Sequence, residues 1–239
     1  MQSWQGKHIH VIVLFSRAGI AQQVWLTAET GTLLVDAGDG ALRDIIDRNL
    51  DLKGLSGIIF THGHFDHISG LYALLGFMRM VGRKDTLYVY APRGCVEVSP
   101  IIERFTSEYA ASVPFEIQYE EVDAEQTFNV AGMNVRSYAV VHCGSTEGHN
   151  VLERIPAMGY RISYHDEIVA ITGDTGLCYA VKQLVNGADL AIIEAVYENS
   201  ENITEEVLQQ VHLSVDKAVE IGKLAKQYIL IHQGGWYRE

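Results

Sequence analysis

The sequence predicts a single α/β domain built as a layered sandwich, and three observations carry that reading. Short apolar runs rich in β-branched residues recur from end to end. Isolated helical periods stand between them. No linker or low-complexity stretch interrupts the 239 residues, a length that can bury a sizeable core as one domain over residues 1–239.

Strands are expected at residues 8–14, 32–36, 57–61, 86–90, 133–141, 160–164, 168–172, 190–196 and 228–232. Each run is about strand length and is bounded by Gly, Asp, Asn or Pro. A helix is expected over 68–81, where Leu71, Leu74, Leu75 and Met78 recur at the helical period. Others are expected over 99–111, 179–186 and 214–226. The last carries Val215, Ala218, Val219, Gly222 and Ala225 on one face, with Ser214 suited to the N-cap and Asp216 in the first turn. Strand runs separated by isolated helices make a layered α/β sandwich, but the pattern alone leaves open which one.

Composition narrows the function classes. The net charge is −12, from 18 basic and 30 acidic residues, and no Lys/Arg cluster is present. Phosphate contacts dominate nucleic-acid affinity, so a long nucleic-acid partner is disfavoured. No apolar run approaches the roughly 18–20 residues of a membrane helix, so no membrane partner is expected. The best N-terminal apolar stretch, 11–15, is shorter than a signal-peptide core of about 7–15 residues. The default expectation is a soluble cytoplasmic protein. Cys95, Cys143 and Cys178 form no CxxC pair and suggest neither a disulfide framework nor a thiolate metal site. Cys143 reads as a small, semi-buried filler.

The decisive segment is Thr61-His62-Gly63-His64-Phe65-Asp66-His67. It follows the apolar run Ile58-Ile59-Phe60 and precedes a helical period. Imidazole and carboxylate are the usual ligands of zinc and similar ions. On an extended turn His62 and His64 project the same way, which leaves Asp66 and His67 to face a second ion.

This HxHxDH motif after a strand resembles the metallo-β-lactamase superfamily, and the resemblance runs along nearly the whole chain. It implies a four-layer αβ/βα sandwich of two similar halves and a site for two divalent metal ions, zinc first, with manganese or iron as alternatives. The implied ligands are His62, His64, Asp66, His67, His142, Asp174 and His232. His142 is favoured over His149, which lies in a polar stretch over 144–148; Asp174 in Thr172-Gly173-Asp174-Thr175-Gly176 matches the bridging aspartate. Asp36 in Val35-Asp36-Ala37-Gly38 resembles the early structural aspartate that holds a ligand imidazole. His8, His10 and His165 lie near strand ends without a partner motif.

The succession Asp174, Glu194, His212-Leu213-Ser214, His232 looks like the ribonuclease Z and small-phosphodiesterase branch. There His212 matches the histidine that contacts the scissile phosphate or protonates the leaving group, and Glu194 the acidic residue that orients it. His212, Glu194 and the ligand Asp66 are therefore the expected catalytic residues. The TPGH signature of glyoxalase II-like thioesterases is replaced here by Val140-Val141-His142-Cys143. One departure from ribonuclease Z is clear: its tRNA-gripping arm lies between the positions of His142 and Asp174, where this chain has only 31 residues. The implied substrate is a small ester, a phosphodiester first. Carboxylic, thio- or sulfate esters on the same metal pair are the alternative, and a metal-dependent binding protein without catalysis is an alternative of another class. A homodimer is compatible with all of these.

Overall fold

The computed structural model describes residues 2–146 and 150–234. Seven strands form one sheet in chain order: β1 (Gln2–Gln5), β2 (His10–Arg17), β3 (Ala21–Ala28), β4 (Gly31–Val35), β5 (Leu55–Ile59), β6 (Leu87–Pro92) and β7 (Ile117–Val122). β1 to β4 run antiparallel, and β4 to β7 parallel. The helices of this half are α1 (Ala41–Asp47), α2 (Phe65–Ile68), α3 (Leu71–Met80) and α4 (Val98–Glu108). Ala41 and Ile45 of α1, Leu71, Leu74 and Met78 of α3, and Ile102 and Phe105 of α4 pack on Leu34, Ile58 and Val89 of the sheet's outer face.

The second half repeats the plan. Its strands are β8 (Thr127–Val130), β9 (Met133–Ala139), β10 (Cys143–Thr146), β11 (Asn150–Arg154), β12 (Met158–Tyr164), β13 (Glu167–Ile171), β14 (Leu190–Glu194) and β15 (Gln227–Ile231). Six of them form a sheet in the order β15-β14-β13-β12-β9-β8, with β13, β14 and β15 parallel and the rest antiparallel. Among the described residues, β10 and β11 pair only with each other. α5 (Tyr179–Val185) and α7 (Val215–Gly222) supply apolar residues to the outer core of this half, and α6 (Glu205–Gln210) precedes α7. Between the sheets, Val11, Leu26, Leu33 and Ile59 meet Val135, Tyr160, Ile162, Val169 and Ile192. The four layers are thus helices, sheet, sheet, helices, as the family resemblance implied. Among the described residues no helix is long and apolar enough to cross a membrane.

The differences from the sequence reading have local causes. β3 was not anticipated, because Gln22 and Gln23 interrupt its apolar run; both are buried and hydrogen-bonded, Gln22 to Ser16 and Gln23 to the Asp39 carbonyl. The helix expected over 68–81 starts only at Leu71, as α3, and a separate short helix, α2, forms within the histidine motif before it. At the break, the Gly70 amide donates to the Ala37 carbonyl at 2.8 Å, and a Cβ on Gly70 would lie 2.3 Å from the Gly38 carbonyl oxygen. The helix expected over 214–226 stops at Gly222, where bonds from Leu224 to Ile221 and Ala225 to Gly222 tighten the turn that starts β15. The strand expected over 133–141 ends at Ala139, so His142 sits on the connection to β10. Part of the stretch read as a polar loop is β10, and His149 lies outside the described residues.

β14 is buried throughout and β4 and β5 over most of their length, which is why apolar residues dominate all three. The carboxyl ends of β4 and β5 in one sheet, and of β13, β14 and β15 in the other, carry the polar residues Asp36, Thr61, Asp174, Glu194 and His232 on or just beyond them. Two bonds fasten the sheets together there: the Tyr160 hydroxyl donates to the Phe60 carbonyl, and the Met158 amide to the Thr61 carbonyl, both at 2.8 Å.

Candidate active site

The chain leaves β5 through Phe60, and His64, in an extended conformation, caps α2. This turn places Asp66 and His67 in the first helical turn while His62 and His64 stay on the strand-like approach. Asp36 follows β4 with φ of 60°, a left-handed conformation uncommon for a residue with a side chain. Its carboxylate accepts from the Thr61 amide (2.8 Å), the Thr61 hydroxyl (2.9 Å) and His67 Nδ1 (2.8 Å). His67 Nε2 is thereby aimed 3.4 Å from Asp174 Oδ2 and 3.9 Å from Asp66 Oδ2. His62 Nδ1 lies 3.1 Å from the Thr61 hydroxyl, and its Nε2 lies 3.8 Å from Asp174 Oδ2.

The second sheet supplies the rest. His142 donates through Nδ1 to the Val211 carbonyl at 2.8 Å, leaving Nε2 as a bare acceptor 3.1 Å from His64 Nδ1 and 3.9 Å from Asp174 Oδ2. Asp174 follows Gly173, whose φ is 61° and where a Cβ would come within 2.7 Å of the Thr61 side chain; glycine is what lets the two loops meet. His232 directly follows β15, also left-handed at φ 55°, with its amide bonded to the Ser16 hydroxyl at 2.7 Å. Its Nε2 lies 3.0 Å from Asp174 Oδ2 and 3.6 Å from Asp66 Oδ2. Asp66 Oδ2 accepts from the Gly19 amide at 2.8 Å.

These residues fit divalent ions. His62, His64, His142 and Asp174 form one group, and Asp66, His67 and His232 another; within each, one donor atom per residue lies within 4.8 Å of all the others. Nε2 of His62 and of His67 are fully buried and, among the described residues, have no hydrogen-bond partner, which is costly unless something else occupies them. Burial holds His62 well below the ordinary histidine range and His142 at about 3, so both are neutral, as coordination requires. Burial also works against His67, but Asp174 and Asp36 outweigh it and raise it well above that range. Burial favours a neutral Asp174; His232 and His67 overcome this and hold it well below the carboxylate range. Asp174 Oδ2 faces imidazoles of both groups, the position a shared ligand needs.

A second constellation adjoins the first. Glu194 ends β14, fully buried, and accepts from the amides of Thr175 (3.1 Å), Leu213 (3.0 Å) and Val196 (3.2 Å). His212 Nδ1 lies 3.1 Å from Glu194 Oε1 and 3.9 Å from Asp174 Oδ2, and its ring centroid is 5.0 Å from that of His142. Burial would depress His212, but Glu194 first, then Asp174 and Asp66, raise it above the ordinary value. All the expected site residues are therefore brought together. His8 and His165 stack on each other, with Asp166 3.4 Å from His8, in a separate group. Cys143 is buried among Val207 and Val211, as a filler should be.

The sequence reading missed Thr61, Ser16, the amides of Gly19 and Thr175 and the Val211 carbonyl. Backbone groups leave no residue-type signal; only Thr61, adjacent to the motif, could have been found by its position.

A model of the β-lactamase superfamily domain matches residues 32–232, most of the chain. The chain belongs to the metallo-β-lactamase superfamily. It is similar to ribonuclease Z of Pyrococcus abyssi, 27% identical over 252 residues covering 89% of this chain and 80% of the relative. Ribonuclease Z of Metallosphaera sedula is 25% identical over 246 residues, covering 87% of this chain and 80% of the relative. The short form of human tRNase Z has the same fold, with a TM-score of 0.77 at 22% identity over 94% of this chain and 92% of that one. The superfamily member described here is a metal-dependent hydrolase.

Proposed function

We propose that the chain is a phosphodiesterase working with two divalent ions, zinc first. His62, His64, His142 and Asp174 would hold one, and Asp66, His67, His232 and the shared Asp174 the other. The observation that supports a phosphodiester over other esters is the Glu194–His212 pair beside Asp174. Divalent ions held here supply activation of water and compensation of charge on phosphoryl oxygens.

The chain's own residues carry the rest. Asp36 fixes the His67 ring and the Val211 carbonyl fixes His142, so that in each the opposite nitrogen faces the site. Glu194 accepts the Nδ1 proton of His212, which sets the tautomer and leaves Nε2 to hold a proton for the departing oxygen. The negative carboxylate favours the protonated imidazole in the ground state and is itself held by three backbone amides, so it need not reorganise during the reaction. Asp66 and Asp174 neutralise part of the cation charge and are not free bases.

A small substrate is favoured over a long RNA. The 31 residues between His142 and Asp174 include β10 to β13 and leave no length for a tRNA-gripping arm, and the net charge is −12. RNA processing is the second reading, supported by the ribonuclease Z relatives. A panel of a bis-aryl phosphodiester, a lactone, a thioester, a sulfate ester, a β-lactam and a precursor tRNA separates these. Turnover of the phosphodiester is expected, with none of the β-lactam and weak, salt-sensitive binding of tRNA. Thioester or lactone turnover a hundred times faster than that of any phosphodiester, or efficient tRNA 3′ cleavage at physiological salt, would replace the proposal with that activity.

A further inference from the structure

Three loops converge on His64, and each carries one uncovered apolar side chain. The first is the metal-site turn itself, with Phe65 65% exposed. The second is the segment before α4, with Val96 71% exposed. Its neighbours Cys95 and Glu97 lie against Gly63, where a Cβ would come 3.1 Å from the Cys95 sulfur and closer still to the Glu97 carboxylate. The third is the β10–β11 pair, with Leu152 51% exposed. Gly144 sits between Leu152 and the site: a Cβ there would be 3.4 Å from Leu152 Cδ1 and 3.6 Å from His64 Nε2. The second and third loops also meet, since a Cβ on Gly94 would lie 3.6 Å from the Pro156 ring.

Scattered exposed apolar residues need no explanation, but three carried on loops that meet beside His64 do. The charge around them is equally telling. Residues 62–65, 94–97, 143–145 and 151–153 contain no Lys or Arg, while Glu97 and Glu153 are present. The flanking cations are engaged elsewhere: Arg93 with Asp123 and Glu121, and Arg154 with the Val140 carbonyl. Among the described residues, a second phosphate on this side would meet the Glu97 carboxylate, and the flanking arginines are already hydrogen-bonded.

We infer that Phe65, Val96 and Leu152 form a specificity rim that takes an uncharged aromatic ring, aryl or nucleobase, on the part of the ester that stays with the phosphate. The identity of that ester as a phosphodiester rests on the function proposed above; the rim itself does not. His212 marks the leaving-group side; the rim adjoins His64, and the His212 and His64 ring centroids lie 5.0 Å and 4.9 Å from that of His142.

The test holds the leaving group constant. p-Nitrophenyl phenyl phosphate and p-nitrophenyl methyl phosphate release the same nitrophenolate and differ only in the retained group. The metal-loaded protein should prefer the phenyl ester by roughly tenfold or more in kcat/KM, as half-burying a ring on apolar side chains implies. V96S and L152S, which lie outside the ligand set, should each lower that ratio, and the double variant should bring it below about threefold. Because the ratio is read, a general loss of activity or metal cancels. A double variant with full metal content and an unchanged ratio overturns the rim. So does an unchanged ratio accompanied by loss of self-association in sedimentation, which would make these residues an interface between copies. If neither phosphate ester is cleaved but another ester class is, the phosphodiesterase reading fails alone, and the phenyl-to-methyl ratio within that class decides the rim by the same criterion.

Discussion

Replacing Glu194 with glutamine separates the charge of that carboxylate from its shape. Oε1 accepts from His212 Nδ1, Thr175 N and Leu213 N at 3.1, 3.1 and 3.0 Å, and Oε2 accepts from Val196 N at 3.2 Å. A glutamine carbonyl in the place of Oε1 keeps three of these bonds. Its amide nitrogen then faces the Val196 N–H, donor against donor, in a fully buried position. One buried donor left without an acceptor costs about 1–3 kcal/mol. For a domain of this size that lowers the melting temperature by roughly 2–4 °C per kcal/mol. The bond to His212 survives but loses its charge assistance, about half its strength. A difference near 1.4 kcal/mol is roughly tenfold in rate. The assay compares two phosphodiesters, one releasing a nitrophenolate and one expelling an alkoxide, at matched metal content. E194Q should lose about tenfold on the alkoxide and little on the nitrophenolate, which needs no proton. H212A should lose about 10²- to 10⁴-fold on the alkoxide while keeping its metal. Equal losses on both esters, or wild-type alkoxide turnover in H212A, would refute the assignment of His212 as proton donor.

Elemental analysis of protein purified without chelator should give close to two equivalents of metal; saturation at one, unaltered in D174A, would remove the shared-ligand arrangement. D36N should weaken metal binding by roughly 10- to 100-fold, because its amide nitrogen must face either the Thr61 amide or the Thr61 hydroxyl and His67 Nδ1, donor against donor; unchanged affinity in a competition with a chromogenic chelator would reduce Asp36 to a turn residue. Asp216, outside the proposed ligand set, offers a pH test. Burial works against its charge, but hydrogen bonds, first from Ser200, hold its pKa at about 2, below its unfolded value of about 3.9. A depressed carboxylate stabilises the fold fully above the unfolded pKa, and that contribution is lost as pH falls through about 2. D216N should therefore show a shallower loss of stability between about pH 4 and 2 than wild type, and identical slopes would contradict the assignment.

The candidate site was legible because its residues are chemically unusual and stand where apolar runs stop. His62 to His67 follow β5, Asp174 follows β13 and His232 follows β15, so sequence position already gave each its place at a strand's carboxyl end. The runs that read well are those buried on both faces, such as β4 and β14. β3 was illegible because its buried polar residues are satisfied by tertiary hydrogen bonds that no local window contains. The inward face of α1 carries the carboxylate of Asp44, and α6 buries only Val207 and Leu208, so neither shows the apolar helical period that α5, as short as α1, does. The short strands β1 and β7 carry exposed or half-buried residues along most of their length and so lack the contrast that marks an inward face. The positive φ of Asp36 and His232 is dictated by the surrounding loops and has no signature in residue type.

The site draws its donors from both sheets: His62, His64, Asp66 and His67 hang from one, and His142, Asp174 and His232 from the other. Cations held between them would act as a clasp, for the layers could not part without surrendering them. Affinity for metal would thereby become resistance to unfolding. A single ion present at a hundred times its dissociation constant adds about 2.7 kcal/mol, and at a thousand times about 4.1 kcal/mol. These are sizeable fractions of a domain's total stability, about 5–15 kcal/mol. Starvation for metal would then do more than idle the enzyme. It would loosen the seam between the two halves, expose the chain to proteolysis, and make the amount of protein itself a measure of the metal supply.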